Sequence, residues 1–342
     1  MEAIPVVLIG LALGGGVVGV LVWAHKREKQ RLAVWRGIAE ARGGEFLEPS
    51  GSIFKRKPHR IEVDVGEARV LCDTYVVSTG KSSTTYTRFR AHFPLPAGPV
   101  FKVYREGVLS KLGKALGTQD VELGGDPDFD RVFMVKCNNP DATRIAWSPE
   151  AKQLMLVNFQ DCHISSDGDE ITLYGLGSWV DGSRIDAGIE LVASIANADL
   201  FGASALRALP GATYSKATGP WQARVAPHAR VVLQATQVEI RPVIQPSHWV
   251  GTRASTQVAR PIERALSFTI NAGQVRGDVP EGYLPPDAAA FTPALREATL
   301  EQSPSGELRL TWAHVEHDSE ALMAGARLLA LVAGTGQQGV FR

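Results

Sequence analysis

The sequence predicts an α+β protein: an N-terminal transmembrane helix followed by two tandem related modules, each an antiparallel sheet with a C-terminal helix. Three observations support this class: an uncharged apolar run near the start, short segments in which apolar and polar residues alternate, and an internal repeat. Of the 342 residues, 44% are hydrophobic and 21% are charged, which is a globular composition. The predicted boundaries are a transmembrane anchor at 1–25, a juxtamembrane helix at 26–44, a first module at 45–208 and a second module at 209–342.

The anchor is predicted from the 21 uncharged positions between Ile4 and Ala24. A helix of that length spans about 30 Å, the thickness of a bilayer core. A cleaved signal peptide is the alternative, but the first three residues carry no Lys or Arg and no A-x-A site follows the run. The basic segment His25–Arg31 places the short N-terminus outside and the modules in the cytoplasm, on the inner (cell) membrane. Three cysteines without a C-x-x-C motif agree with a reducing compartment.

Two glycine spacings in the anchor have two interpretations. Gly10 and Gly14 form one G-x-x-x-G spacing, and Gly15 and Gly19 form another. Such spacings let two helices approach closely in lipid, which predicts a homodimer through this face. Glycine is also common in spanning helices in general, so the spacing is consistent with a single helix in the bilayer, and dimerisation is a hypothesis.

A helix is predicted to continue from Lys26 to Arg42, because apolar residues recur there at spacings of three and four. The pair Gly43–Gly44 is a stop signal. The basic residues of this helix either contact anionic headgroups or act only as the topology signal.

The tripeptide at 80–82, Gly-Lys-Ser, resembles the end of a P-loop, but Tyr75 stands where the first glycine is required. The residues after it alternate as in a strand, and residues 70–78 before it also read as a strand. The segment is therefore predicted to be a hairpin turn. Arg88, Arg90 and His92 then share one sheet face, which is either a solvated basic face or a site for an anion.

Other chemical signals are weak. Asp126, Asp128 and Asp130 lack the glycine and glutamate of a calcium loop and are better interpreted as a helix cap or a turn cluster. On a strand, His314 and Glu316 point away from His317, so no metal site is predicted there. No catalytic residue and no cofactor is predicted. The formal net charge of zero gives no basic field for nucleic acid.

The internal repeat aligns residues 166–196 with residues 303–333 without gaps, and nine of the 31 positions are identical. Composition alone gives about two or three identities. Each copy has a turn, a strand (171–176 or 308–313), an Asp and an amphipathic helix whose Ala and Gly residues let it lie close on a sheet. Upstream, Ser148–Pro149 and Thr292–Pro293 both predict a helix start.

One segment resembles a known family. The pattern F-D-x-x-F-x-V at Phe129–Val135, followed by the helix start at Ser148–Pro149, is similar to an uncharacterised family of bacterial membrane proteins. The resemblance covers residues 128–176. It implies membrane attachment and a cytoplasmic domain, and it implies no activity, so no catalytic residue is carried over. From the residues alone, Phe129, Phe133 and Val135 are core positions on a strand.

Three hypotheses about function follow. The first is a single-pass membrane-anchored cytoplasmic scaffold or partner-binding protein without catalytic activity, whose partners are the lipid bilayer and an unidentified protein. The second is a membrane-attached sensor of an anionic ligand or lipid headgroup near Arg88, Arg90 and His92. The third is an enzyme with no recognisable motif, because catalytic groups can converge from distant positions.

Overall fold

The protein was described from a computed structural model. The structure describes residues 23, 25–48, 58–80, 82–95, 97–105, 119–120, 123, 126–215, 226–233, 235–244, 250–257, 262 and 264–335. The chain divides into two compact units, Met1–His92 with Val100–Asn197, and Phe93–Pro99 with Ala198–Arg342. The predicted junction between 208 and 209 therefore falls inside the second unit.

The first unit is an antiparallel sheet with helices. In the described part of this unit, the sheet has nine strands in the order β1-β2-β3-β4-β9-β8-β5-β7-β6. The strands are β1 (Glu45–Leu47), β2 (Arg60–Val65), β3 (Ala68–Ser78), β4 (Ser83–His92), β5 (Val100–Arg105), β6 (Gln119–Asp120), β7 (Phe133–Cys137), β8 (His163–Asp167) and β9 (Glu170–Leu176). The helices are α1 (25–41), α2 (Pro127–Val132), α3 (Pro140–Ala146), α4 (Pro149–Asn158) and α5 (Gly182–Ala196).

The predicted hairpin is confirmed. Strands β3 and β4 pair from Val70↔Ala91 to Ser78↔Ser83, and Gly80 lies in the turn with φ of 83°. Thr79 N–H donates to the Ser82 carbonyl oxygen at 2.9 Å, closing the turn. Because a strand rather than a helix follows Gly80, the segment lacks the geometry of a P-loop.

Helix α1 ends where the sequence predicted. Gly43 adopts φ of 65°, Gly44 N–H donates to the Ala39 carbonyl and Gly43 N–H donates to the Glu40 carbonyl. This pair of bonds is a Schellman motif, which requires a left-handed residue and so favours glycine. Trp35 is fully buried, and its Nε1–H donates to the Trp179 carbonyl at 3.0 Å. The helix is thereby attached to the loop before α5.

The predicted helix starts of the first unit are confirmed. Asp126 caps α2, Ser148 caps α4 with Pro149 at the first helical position, and Asp181 caps α5. One assignment changes: Phe129 is a buried position of α2, whereas Phe133 and Val135 lie on β7 as predicted.

The second unit is also an antiparallel sheet with helices, and the eight strands that its described residues form have the order β10-β11-β12-β13-β17-β16-β14-β15. The strands are β10 (Thr213–Ser215), β11 (His228–Leu233), β12 (Thr236–Ile244), β13 (Val250–Gln257), β14 (Leu266–Asn271), β15 (Gln274–Arg276), β16 (Ala298–Gln302) and β17 (Glu307–Trp312). The helices are α6 (Ala203–Ala208) and α7 (Ser319–Thr335), with 3₁₀ turns at Pro286–Ala290 and Thr292–Ala294.

The two sheets have the same topology over eight strands. The order β1-β2-β3-β4-β9-β8-β5-β7 corresponds to β10-β11-β12-β13-β17-β16-β14-β15. A helix precedes the first strand of each sheet, and a long helix follows the last strand of each unit. The prediction of two similar modules is thus confirmed.

The register makes the correspondence residue by residue. A fully buried row crosses each sheet at equivalent places, and every member has 0% exposure. The rows are Ile61–Cys72–Phe89–Leu173–Ile164 in the first unit and Ala229–Ile240–Ala254–Leu310–Leu300 in the second. Leu173 and Leu310 are 137 positions apart, but Ile164 and Leu300 are 136 apart. One residue has therefore been gained or lost in the turn between them, and the gapless alignment holds only after that turn.

One prediction about the repeat was wrong. Thr292–Pro293 was expected to start a helix matching α4, but only the 3₁₀ turn Thr292–Ala294 forms. Glu297 then adopts φ of 50°, and strand β16 follows with Ala298 and Leu300 facing the core. The alternation of buried and outward side chains in this segment allows it to pair with β14 and β17, and that pairing outweighs the start signal.

Apart from Trp23, the predicted anchor at 4–24 lies outside the described residues, and so do Gly10, Gly14, Gly15 and Gly19. Among the helices that the structure describes, none combines the length and the hydropathy needed to cross a bilayer.

Candidate functional site

The first sheet has one face covered by α5, which contacts β3, β4 and β9. Because side chains alternate along a strand, the residues between the buried ones project from the other face. Register places Asp73, Arg88, Tyr174 and His163 in one row across four strands of that face. We name the surrounding surface the tyrosine–arginine face, which consists of Asp73, Tyr75, Tyr86, Arg88, Arg90, His92, His163, Glu170 and Tyr174.

Asp73 is the centre of an ion network on this face. Its carboxylate accepts from Arg88 Nε at 2.8 Å and from Arg88 Nη2 at 2.7 Å, a bidentate pair. Arg90 Nη2 donates to the same carboxylate at 3.1 Å. Asp73 is only 5% exposed, because the two guanidinium groups cover it. The hydrogen bond to Asp73 is the main reason that the pKa of Arg88 is raised.

A second carboxylate extends the network towards the end of β4. Glu170 Oε2 lies 3.5 Å from Arg90 Nη1 and 3.6 Å from His92 Nε2. Two arginines therefore face two carboxylates, and the charges cancel when His92 is neutral. The structure brings Arg88, Arg90 and His92 together, as the sequence predicted. It also engages them with acidic partners, so an anion at this place would compete with Asp73 and Glu170.

Aromatic rings cover the rest of the face. Tyr75 and Tyr86 are stacked with centroids 5.3 Å apart, and Tyr75 meets Tyr174 edge-on at 5.8 Å. His163 stacks on Tyr174 at 4.7 Å. The Arg88 guanidinium lies 4.9 Å from the Tyr75 ring centroid, which is cation–π geometry. The rings thus form a continuous surface with the ion network beside them.

Burial sets the protonation of these rings. Burial is the main reason that the pKa of Tyr75 is raised, with Tyr174 and Tyr86 adding to it. The phenol therefore stays protonated near neutral pH and keeps a donor. Burial, followed by the charge of Lys102, lowers the pKa of His163. At neutral pH this imidazole is uncharged, and it stacks on Tyr174 as a neutral ring.

Aliphatic side chains lie at the hairpin end of the face. Leu176 is paired with Tyr86 across the strands and is 65% exposed, and Val77 is 42% exposed. Tyrosine and arginine beside exposed aliphatic groups are the side chains that protein interfaces favour at their centres. The arrangement offers aromatic surface, donors and a preformed ion network, which suits binding.

The cysteines do not contribute to this face. Cys72, Cys137 and Cys162 are free and buried. Burial raises the pKa of Cys72, and it raises the pKa of Cys162 to about 12. Neither thiol is therefore a thiolate near neutral pH, and a nucleophilic role is disfavoured.

The other sequence signals lie elsewhere in the chain. His314 Nε2 is 3.3 Å from Glu316 Oε2, whereas His317 Nδ1 is 3.6 Å from Asp199 Oδ2. The described part of the chain contains no group of three or more His, Cys, Asp or Glu side chains arranged to hold a metal ion. Sequence reasoning missed the aromatic part of the tyrosine–arginine face. Tyr75 and Tyr174 are far apart in the chain, and only the β3-β4-β9 order makes them neighbours.

Fold and face together define a two-module α+β protein with an aromatic and charged face on its first sheet. No protein-family model matches the sequence, and no curated protein matches it. Among solved structures, the chain is similar to the crystal structure of the mycobacterial trehalose monomycolate transport factor A, TtfA. The identity is 11% and the TM-score 0.34, over 49% of this chain and 94% of that chain. Similarity at this level carries no conclusion about fold or function.

Proposed function

We propose that the chain is a single-pass membrane-anchored cytoplasmic scaffold, which binds a protein partner through the tyrosine–arginine face and has no catalytic activity of its own. The anchor is the sequence prediction at 4–24, which the resemblance to a family of bacterial membrane proteins also implies. Helix α1 connects the proposed anchor to the modules, and Trp35 attaches α1 to the rest of the first unit.

The observation that carries the proposal is the composition of this face. Tyr75 and Tyr86 are stacked and Tyr174 meets Tyr75 edge-on, and together the three rings supply large, rigid contact surface at low entropic cost. Arg88 and Asp73 hold each other in place, so the polar part is ordered before a partner arrives. Preorganisation of this kind lowers the cost of association.

The charge balance favours a partner of mixed polarity. Because Arg88 and Arg90 are already neutralised, a strongly acidic or strongly basic surface gains little here. A partner with its own aliphatic and aromatic side chains would bury Leu176 and Val77, which are exposed in the free protein.

Site-specific photo-crosslinking tests the proposal. The full-length protein carries a benzoylphenylalanine in place of Tyr86, and the matched control carries it in place of Val157, which is 66% exposed on α4 of the same unit. We expect a discrete protein adduct from position 86 and none from position 157, with the adduct identified by mass spectrometry.

A double variant provides a second test of partner binding. Tyr75→Ala combined with Tyr86→Ala is expected to reduce recovery of the crosslinked partner from detergent extracts by tenfold or more, an energy change of about 1.4 kcal/mol or larger. Val232→Ala, which removes a side chain that is 67% exposed on the second unit, serves as control. A wild-type extract without a stoichiometric partner, together with equal crosslinking from positions 86 and 157, contradicts the proposal.

A further inference from the structure

The second sheet carries an unusual pair of like charges on its outward face. Arg241 on β12 lies directly opposite Arg253 on β13. Arg309 on the next strand, β17, is diagonal to Arg253, because its direct partner is Ser255. We name these three residues the arginine cluster. Like charges directly opposite each other on neighbouring strands destabilise a sheet.

The same place in the first unit holds an ion pair. When the buried rows of the two sheets are superposed, Cys72 matches Ile240 and Phe89 matches Ala254. Arg253 then occupies the position of Arg88, and Arg241 occupies the position of Asp73. The second module thus has an arginine where the first module has the carboxylate that neutralises its partner.

Among the described residues, neither arginine of this pair has a counter-ion. In the part of the chain that the structure describes, no carboxylate lies within ion-pair distance of Arg241 or Arg253. The Nε of Arg253 is buried without a hydrogen-bond partner. Burial lowers the pKa of Arg253, and the charges of Arg309 and Arg241 lower it further. Arg309 differs, since Glu307 pairs with it.

The surroundings provide polar groups as well as opposing charges. Arg241 lines a recess of about 490 Å³ together with Ser255, Gln237 and Gln257, which offer hydroxyl and amide donors. Glu239 and Glu307 line the same recess. Glu301 is the cross-strand neighbour of Arg309. A ligand must therefore gain more from Arg241 and Arg253 than it loses to the glutamates, which favours a doubly charged group over a single carboxylate.

We propose that the arginine cluster is a binding site for a phosphate group, with Arg241 and Arg253 donating to its oxygens and Ser255 as a neighbouring donor. Guanidinium groups match the oxygens of a phosphate bidentately, and charge-assisted hydrogen bonds of this kind are the strong ones. The ligand replaces the carboxylate that the first module supplies from Asp73. This site goes beyond the partner-binding function and lies on the other module, so each can fail without the other.

Calorimetry tests the site on the full-length protein in an uncharged detergent, titrated with inorganic phosphate at fixed ionic strength. We expect saturable binding to the wild type. Hydrogen exchange under the same conditions is expected to slow in the peptides that contain β12 and β13. Arg241→Asp restores the pair of the first module, and it is expected to weaken phosphate binding at least tenfold while leaving the sheet folded.

Two further variants keep the test decisive. Glu239→Gln removes an opposing charge and is expected to tighten binding about threefold, which corresponds to roughly 0.65 kcal/mol at 25 °C. Arg276→Asp on β15, where the side chain is exposed and bonded to Gln274, is the matched control and is expected to bind as the wild type does. The proposal is overturned if phosphate produces no saturable heat, or if Arg276→Asp weakens binding as much as Arg241→Asp.

A second titration separates the two sources of a phosphate group. Short-chain phosphatidic acid in mixed micelles is added in place of inorganic phosphate. Binding at least tenfold tighter than that of inorganic phosphate assigns the site to a lipid headgroup, and equal or weaker binding assigns it to a soluble phosphate compound. Both results support the site, and the absence of saturable phosphate binding in the first titration refutes it.

Discussion

In each module, one buried threonine at a matched position holds the loop before the C-terminal helix, which is α5 in the first module and α7 in the second. Thr87 Oγ1 accepts from Trp179 N–H at 3.1 Å, and Thr252 Oγ1 accepts from Glu316 N–H at 2.9 Å. Trp179 and Glu316 are 137 positions apart, the offset of the repeat, although the residues differ. A backbone N–H buried in this way needs an acceptor, so the threonine has a defined role in both copies.

Replacing each threonine by valine is expected to lower the free energy of unfolding, because the buried N–H group loses its acceptor. Thr87→Val and Thr252→Val keep the shape but leave a buried donor unpaired, which costs about 1–3 kcal/mol. Thr→Ser at the same positions retains the acceptor and is expected to lose less. Denaturant unfolding of the full-length variants measures the difference. Valine variants as stable as the serine variants would remove the proposed role of the hydroxyl.

Residue-scale predictions succeeded where the signal was local. Asp126 and Ser148 were identified as helix-start positions because a cap depends only on residues a few positions away. The pairing of Arg88 with Asp73 and the meeting of Arg241 with Arg253 depend on strand order and register. A single sequence does not define either quantity, so the ion network and the arginine cluster appeared only in the structure.

At the scale of elements, one glycine in each closing helix sets how closely that helix lies on its sheet. A Cβ on Gly188 of α5 would lie 2.7 Å from Phe89 Cζ, and a Cβ on Gly325 of α7 would lie 2.5 Å from Trp312 Cη2. These glycines are matched in the repeat. The prediction that small residues permit close packing of helix on sheet is therefore confirmed in both modules.

Alanine at either glycine is expected to destabilise its module. Gly188→Ala and Gly325→Ala force a buried ring to move, and overpacking of this kind costs about 1–3 kcal/mol. Gly37→Ala in α1 is the matched control, because a Cβ there meets nothing within 4 Å. That variant is expected to gain roughly 0.5–1 kcal/mol from helix propensity. Thermal unfolding distinguishes the two signs, and a gain at position 325 would show that the ring moves freely.

Elements were predicted best where pattern and tertiary context agree. The β3–β4 hairpin and helices α1, α4 and α5 follow from alternation, helical spacing and caps. The segment after Thr292 carries a helix start and also alternates as a strand, and the sheet selects the strand. A single helix-start signal stabilises a helix by less than a strand is stabilised by packing between two neighbouring strands.

At the scale of the whole molecule, the two modules share topology and buried rows but differ in their outward faces. The first face is aromatic and its charges are compensated, whereas the second carries an arginine pair with no ion-pair partner in the part of the chain that the structure describes. The two similar modules thus share a core, where packing constrains each position, and differ on the surface, where packing constrains them less. The partner and the phosphate group are therefore proposed for different modules.

The reactivity of introduced cysteines measures on which side of the membrane both modules lie. If the run at 4–24 spans the bilayer with its N-terminus outside, a cysteine introduced as Ala3→Cys is expected to react with a membrane-impermeant maleimide in intact cells. A cysteine introduced as Val232→Cys, at a position that is 67% exposed on the second unit, is expected to react only after permeabilisation. The background is low because the native thiols are buried, and the pKa of Cys162 is raised to about 12. Labelling of the Val232→Cys variant in intact cells would reverse the orientation. Loss of the label from a shortened Ala3→Cys protein would mean that the run is cleaved, and the modules would then have no anchor.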